Sequence, residues 1–195
     1  MDTQISEVKT QLETGLPDVK LRTIGNSILL ENPEDLVRAA FFLKEAPAFR
    51  LDYLSSITAA DYLDYLESVY HLYSMEKKTG PIVLRVRVKR EAPRVPSLVP
   101  VYRSADLQER EAYDTFGIVY EGHPDLRRLF LWEGFEGYPL RKDYRQEDTD
   151  VLEIADIEWL EKHGVNVPEK FKTQARELAA AGKRALSEKP AQPRN

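Results

Sequence analysis

Cysteine is missing from all 195 residues. That absence removes disulfides, thiolate ligation of iron-sulfur clusters and thiol nucleophiles together. Long apolar runs are missing too: none approaches the ~18 residues that a membrane-spanning helix needs. The polar opening MDTQISEVK has none of the regions of a signal peptide. The expectation is a chain that stays in the cytoplasm and meets a membrane only through a partner. Glycine is sparse, with nine residues, and none falls in GxGxxG or GxxxxGK[ST] spacing, so nothing supports a bound nucleotide or flavin. GxSxG and SxxK are absent, which removes the familiar serine nucleophiles. With 28 basic against 33 acidic residues the net charge is -5, which argues against general nucleic-acid binding but leaves room for a local basic patch.

What is present suits one hydrophobic core plus an appended arm, given 42% hydrophobic residues in this length. Ile5, Val8 and Leu12 recur at helical spacing before Gly15 and Pro17, which predicts an amphipathic helix with a stop. Residues 18–24 and 27–31 are strand-like around Gly25-Asn26 and predict a hairpin. Asn32 caps a second predicted helix with Pro33 at its first position, Leu36, Ala40 and Leu43 on one stripe, and Phe41 and Phe42 widening that stripe toward a sheet. Residues 49–60, 65–73 and 81–90 then read as three strands, the last alternating Leu84, Val86 and Val88 with Arg85, Arg87 and Lys89. One face is core and the other wet or covered. Three prolines in 92–100 predict no regular structure there. The order points to an α+β class, a two-layer domain with helix, hairpin, helix and three strands in a mixed, mainly antiparallel sheet.

The chain's charges and turn residues gather in 109–144. Ser104 is the expected N-cap of a helix over 105–114, Arg110 and Asp114 stand at i,i+4 spacing for a pair, and Gly117 is the expected stop. After a short strand at 118–120, Gly122, Pro124, Gly134, Gly137 and Pro139 punctuate a long loop, uncommon in a compact domain unless it is functional or packed on something. Basic Arg127, Arg128, Arg141, Lys142 and Arg145 alternate there with acidic Glu121, Asp125, Glu133, Glu136 and Asp143, a pattern suited to fixing the register of a protein partner. Beyond it, residues 146–161 carry seven acidic and no basic side chains, and 168–186 reads as a basic amphipathic helix. The expected division is an α+β domain over 1–120, an extended docking segment over 121–145, an acidic segment and C-terminal helix over 146–186, and a disordered tail over 187–195.

Little here invites catalysis. His71, mid-strand, reads as a satisfied structural histidine, and His163 as a cation near a helix end. His123, in Gly-His-Pro-Asp, could form an acid–base pair with Asp125 or Glu109, the basis of a stand-alone hydrolase reading, yet neither HExxH nor a second histidine motif supports a metal. Glu109, Glu111 and Asp114 read better as an ion-pair network at an interface than as a general acid–base group. No catalytic, cofactor-binding or metal-ligating residue is therefore assigned.

The block EREAYDTFGIVYEGHPDLRRLF followed by EGYPLRKDY resembles the signature of the thirty-kilodalton subunit family of respiratory complex I, the C subunit of bacterial proton-translocating NADH-quinone oxidoreductase. SITAADYLDYLESVYHLYS and the strand VLRVRVKR resemble it as well, so the likeness covers roughly residues 50–144. Leu107, Thr115 and Tyr138 depart from residues common in the family. The resemblance implies a subunit without flavin or iron-sulfur cluster, peripheral on the cytoplasmic side of the inner (cell) membrane, packed on the D and B subunits that hold the last cluster and shape the quinone site. It implies structural and docking roles for Glu109, Arg110, Glu111, Asp114, His123, Asp125, Arg127, Arg128, Arg141, Lys142 and Asp143. Small subunits of related membrane complexes, such as a hydrogenase or a dehydrogenase using ferredoxin or a deazaflavin, are the alternative, because the sequence does not name the electron donor.

Overall fold

Ile5, Val8 and Leu12 form the buried stripe of helix α1 (Asp2–Gly15), and this stripe lies against a five-stranded sheet. The computed structural model describes residues 2–144 and 154–187, which fall in two compact units, Met1–Tyr144 and Arg145–Asn195. In the first unit, β1 (Leu21–Ile24) and β2 (Ser27–Leu30) make the expected hairpin, with Gly25 at φ 54 turning the chain. Asn32 caps as expected, its side chain accepting from the Glu34 amide, but the first turn it starts is a 3-10 turn (Pro33–Asp35) that leads into α2 (Leu36–Glu45). Leu36, Ala39, Ala40 and Leu43 make the buried face of α2; Phe41 does not join it and stands exposed.

Strands β3 (Tyr53–Asp61), β4 (Tyr65–Ser74) and β5 (Thr79–Lys89) follow. The sheet order is β1-β2-β5-β4-β3, with every pairing antiparallel except β2 with β5. The mixed, mainly antiparallel α+β class is thus borne out. Leu66, Tyr70 and Leu72 share the core face with Ile82, Leu84 and Val86, as period two requires. Glu67 and Val69, on the other face of β4, are buried too.

The proline-rich stretch differs from expectation. Residues Arg94–Pro96 form β6, parallel to β7 (Val119–Glu121). Pro96 fits because it closes a strand only three residues long, in a ladder of two strands where one missing donor is tolerated. Val95 and Tyr120 of this ladder point into the main core.

Helix α3 (Ala105–Phe116) lies along the free edge of β3. Ser104 makes no capping bond; its hydroxyl donates to the Leu54 carbonyl, while Gln108 Oε1 accepts from the Ile57 amide at 2.6 Å. Both side chains satisfy edge groups that would otherwise template another strand. Gly117, at φ 73, ends the helix in the left-handed conformation expected of it. Of the docking segment expected over 121–145, residues 121–144 count with the first unit.

The second unit contains α4 (Ile154–Lys162) and α5 (Glu169–Ser187), packed through Ile157, Val167 and Ala175. His163 follows the end of α4, stacked on Trp159 with Nδ1 against the Trp159 carbonyl. The acidic Glu147, Asp148, Asp150 and Glu153 and the tail over 188–195 lie outside the described residues.

Candidate functional site

Asp114 lies near the end of α3 with its side chain fully buried. Its Oδ2 accepts three consecutive amides, those of Leu129, Phe130 and Leu131, at 3.0, 2.7 and 3.0 Å. Its Oδ1 accepts from Arg128 Nη1 at 2.9 Å. Burial alone would raise this carboxyl, but the three amides and the guanidinium outweigh it and hold the group below the usual carboxylate range. Arg128 also donates to the carbonyls of Phe135 and Gly137 and lies against the rings of Phe135 and Tyr138. One carboxylate on a helix therefore sets the path of the loop from 128 to 138.

The pair expected between Arg110 and Asp114 is not formed. Asp114 takes Arg128 instead, and Arg110 donates through Nε and Nη2 to the carbonyls of Arg127 and Arg128. A planar guanidinium suits backbone oxygens in a turn, and the more distant Arg128 brings its own loop with it.

Glu109 is buried on the inner side of α3 and points toward the β6 segment. Its carboxyl accepts from Ser97 Oγ and from the Leu98 amide, each at 2.6 Å. Burial is the dominant influence and pushes it up to about 7, against the opposing pull of those two bonds. Beyond it, Ser68 and Tyr120 share a hydrogen bond of 3.0 Å, and the buried Tyr70 hydroxyl is left without a hydrogen-bond partner among the described residues. Glu109, Arg110 and Asp114 thus shape the surface from within instead of presenting their own charges on it. Glu111 is exposed on the other side of the helix.

His123 has a buried side chain, with an Asp106 carboxylate oxygen 3.5 Å from its Nε2 and no carboxylate on its Nδ1. That nitrogen accepts from the Asp125 amide at 3.0 Å, which places the proton on Nε2, 3.1 Å from the Asp106 carbonyl. The Asp125 carboxylate pairs with Arg127 at 2.8 Å, and that guanidinium, the largest influence on it, holds the carboxyl below its ordinary range. Histidine and aspartate form a turn here, with no acid–base couple between their side chains. Among the described residues no group of three or more His, Cys, Asp or Glu is placed to hold a metal ion.

Arg141 donates to the Phe116 carbonyl at 2.6 Å and stacks on Tyr138, whose ring fills the space beside Gly117. The Lys142 amide donates to Asp61 at 2.7 Å, and Arg90 bridges Asp61 to Asp143. These bonds fasten the PLRKD stretch to the ends of β3 and β5. The charged residues singled out from the sequence mostly spend their bonds inside the chain. The loop they hold exposes large apolar side chains that the charge pattern hid: Phe130 at 68%, Trp132 at 69% and Leu140 at 57%. The signal for Phe130 and Trp132 was an aromatic run, FLWEGF, between the two charged motifs.

A family model described as the respiratory-chain NADH dehydrogenase 30 Kd subunit matches residues 30–150, which include strands β3 to β7, helix α3 and the loop pinned by Asp114. The chain belongs to that family. The NADH-quinone oxidoreductase C 2 subunit of Rhizobium meliloti (strain 1021) is 49% identical over 118 residues, covering 57% of this chain and 62% of that protein. The NADH-quinone oxidoreductase C subunit of Roseiflexus sp. (strain RS-1) is 39% identical over 142 residues, covering 70% and 81%. Among the first relatives the chain spans under two thirds of their own length, 62% for Rhizobium meliloti and 65% for Rhizobium etli. A solved chain from the membrane-bound sulfane sulfur reductase, an archaeal respiratory membrane complex, shares the fold with a TM-score of 0.57 at 22% identity, over 83% of this chain and 92% of that one. No described helix is long and apolar enough to cross a membrane.

Proposed function

We propose that this chain is the C subunit of a proton-translocating NADH-quinone oxidoreductase, a peripheral-arm component without a redox group of its own. Its work is to hold the D and B subunits, which bear the last cluster and the quinone site, in fixed relative position. Electron transfer falls steeply with distance, so a rigid joint between redox carriers has a direct kinetic value. The proposal is carried by the family match over residues 30–150, in relatives whose names are those of NADH-quinone oxidoreductase. Those names also favour NADH over ferredoxin or a deazaflavin as the electron donor of the complex. Membrane attachment, on the cytoplasmic side, comes through the assembled complex.

The geometry supports a joint. Phe130 and Trp132 project from a backbone whose amides are tied to Asp114, so a partner meets apolar anchors that are already ordered. Arg127, Lys142 and Glu111 are exposed as well. A stand-alone hydrolase built on His123 and Asp125 is not favoured, since Nδ1 accepts from the Asp125 amide while the Asp125 carboxylate pairs with Arg127.

Removing the chain from its native cell tests the proposal. NADH-quinone oxidoreductase activity of the membranes is expected to vanish, with the cluster-bearing subunits no longer assembled, and to return on complementation with the intact chain. Membranes that keep the activity and the assembly without it would overturn the proposal.

A further inference from the structure

Only one face of the five-stranded sheet belongs to the core. Helices α1 and α2 and the β6–β7 ladder pack on the side of Leu84, Val86 and Tyr70, and α3 follows the β3 edge. On the opposite side the strand register sets Arg22, Leu29, Arg85, Val69 and Thr58 in a row across all five strands. A second row holds Arg87, Glu67 and Ala60, and His71 follows Val69 along β4. No described helix of the first unit covers these rows.

The charge on this face is lopsided. Within the strands, Arg22, Arg85, Arg87 and Lys89 share it with one carboxylate, Glu67. Glu67 is fully buried and already accepts from Arg85 Nη1 at 2.7 Å and from Arg87 Nε at 2.8 Å. It neutralises one guanidinium's worth of charge, and the exposed Arg22 and Lys89 make no ion pair among the described residues. Arg85 Nε and His71 Nδ1 are left buried without a hydrogen-bond partner among the described residues, a condition that is costly and rare in folded chains. Between these side chains the floor is apolar, with Leu29 at 2% and Val69 at 7% exposure.

We propose that this outer sheet face docks a carboxylate-rich surface of a neighbouring protein. Four cationic side chains offer donors only, so the groups that complement them are acceptors. Three of the four are arginines based on rigid strands, and the guanidinium fork matches a planar carboxylate. Arg85 is 30% exposed and has spent Nη1 on Glu67, and its Nε, buried without a partner, meets an incoming carboxylate only once the side chain turns. Arginines over an apolar floor, beside the stacked Tyr62 and Tyr65 and with Arg87 lying on the Tyr65 ring, have the composition of a protein interface. For its partner the inference rests on the proposed assembly with other subunits.

Lys89 supplies the test. A complex purified through this chain would be treated with a carbodiimide, which joins an amine to a carboxylate without a spacer, and the coupled peptides read by mass spectrometry. Lys89 is expected to be coupled to an aspartate or glutamate of another subunit, less so as salt is raised. The double variant Arg22→Glu/Lys89→Glu is expected to keep the circular dichroism of the intact chain and to lower its incorporation into the complex about tenfold. An intact complex in which Lys89 couples only to carboxylates of its own chain, or to none, overturns this inference and leaves the assembly standing. Normal incorporation of the double variant overturns it as well. A chain that purifies without other subunits overturns the assembly and the inference together, and is recognised before any coupling.

Discussion

Asp114 and Glu109 are two buried carboxylates on one helix, and their surroundings move them in opposite directions. Asp114 meets three amides and a guanidinium, so it is held as an anion; Glu109 meets one amide and one hydroxyl in an apolar setting, so burial raises it to about 7. Asp114→Ala leaves Arg128 and three amides without their acceptor. A loss of about 3 kcal/mol in the urea unfolding of the intact chain is expected, the scale for breaking a buried pair. The Glu109 carboxyl, raised to about 7 in the fold, contributes stability that is complete below its unfolded value near 4.5 and is lost as pH rises through about 7. Wild-type unfolding free energy should therefore fall between pH 5 and pH 8. Glu109→Gln keeps an acceptor for the Leu98 amide and stays neutral, so its profile should be flatter, and on the order of 2 kcal/mol should separate the two slopes across that window. Parallel profiles would show that Glu109 does not titrate there. The sequence identified both residues as members of one charged motif. It could not assign them different states, because the amides that settle Asp114 come from 129–131 and the groups around Glu109 from 97–98.

At the scale of elements, local signals were strong. The hairpin at Gly25, the Asn32 cap, the five sheet strands and the Gly117 stop were legible from turn chemistry and periodicity, which depend on near neighbours. Ser104 misled, since a serine before a helix reads as a cap until an unpaired strand edge competes for its hydroxyl. The β6–β7 ladder was hidden by prolines and pairs segments far apart in sequence. Gly117 carries two demands at once, a left-handed φ of 73 and room for the Tyr138 ring against its Cα. Gly117→Ala is expected to cost about 1–2 kcal/mol in thermal or urea unfolding and to displace Tyr138, reducing the protection of the 138–141 amides from hydrogen exchange. A variant as stable as the wild type, with unchanged exchange, would mean that neither demand matters.

At the scale of the molecule, the loop from 121 to 144 joins a charged inner scaffold to an apolar outer surface. Phe130→Ala with Trp132→Ala removes exposed rings without touching the Asp114 bonds. The isolated chain should unfold within ~0.5 kcal/mol of the wild type, while its recovery in an assembled complex should drop severalfold. Equal recovery would move the docking surface elsewhere. The sequence by itself determined the α+β class, the order of elements, the absence of thiol chemistry and the family, because composition, periodicity and a dense motif are local properties of the chain. Only the tertiary structure decided which charges face inward, that His123 is tied to backbone groups, and that Phe130 and Trp132 stand outside. A carboxylate's partners and a ring's exposure depend on segments that folding brings together, and no spacing along the chain encodes that distance.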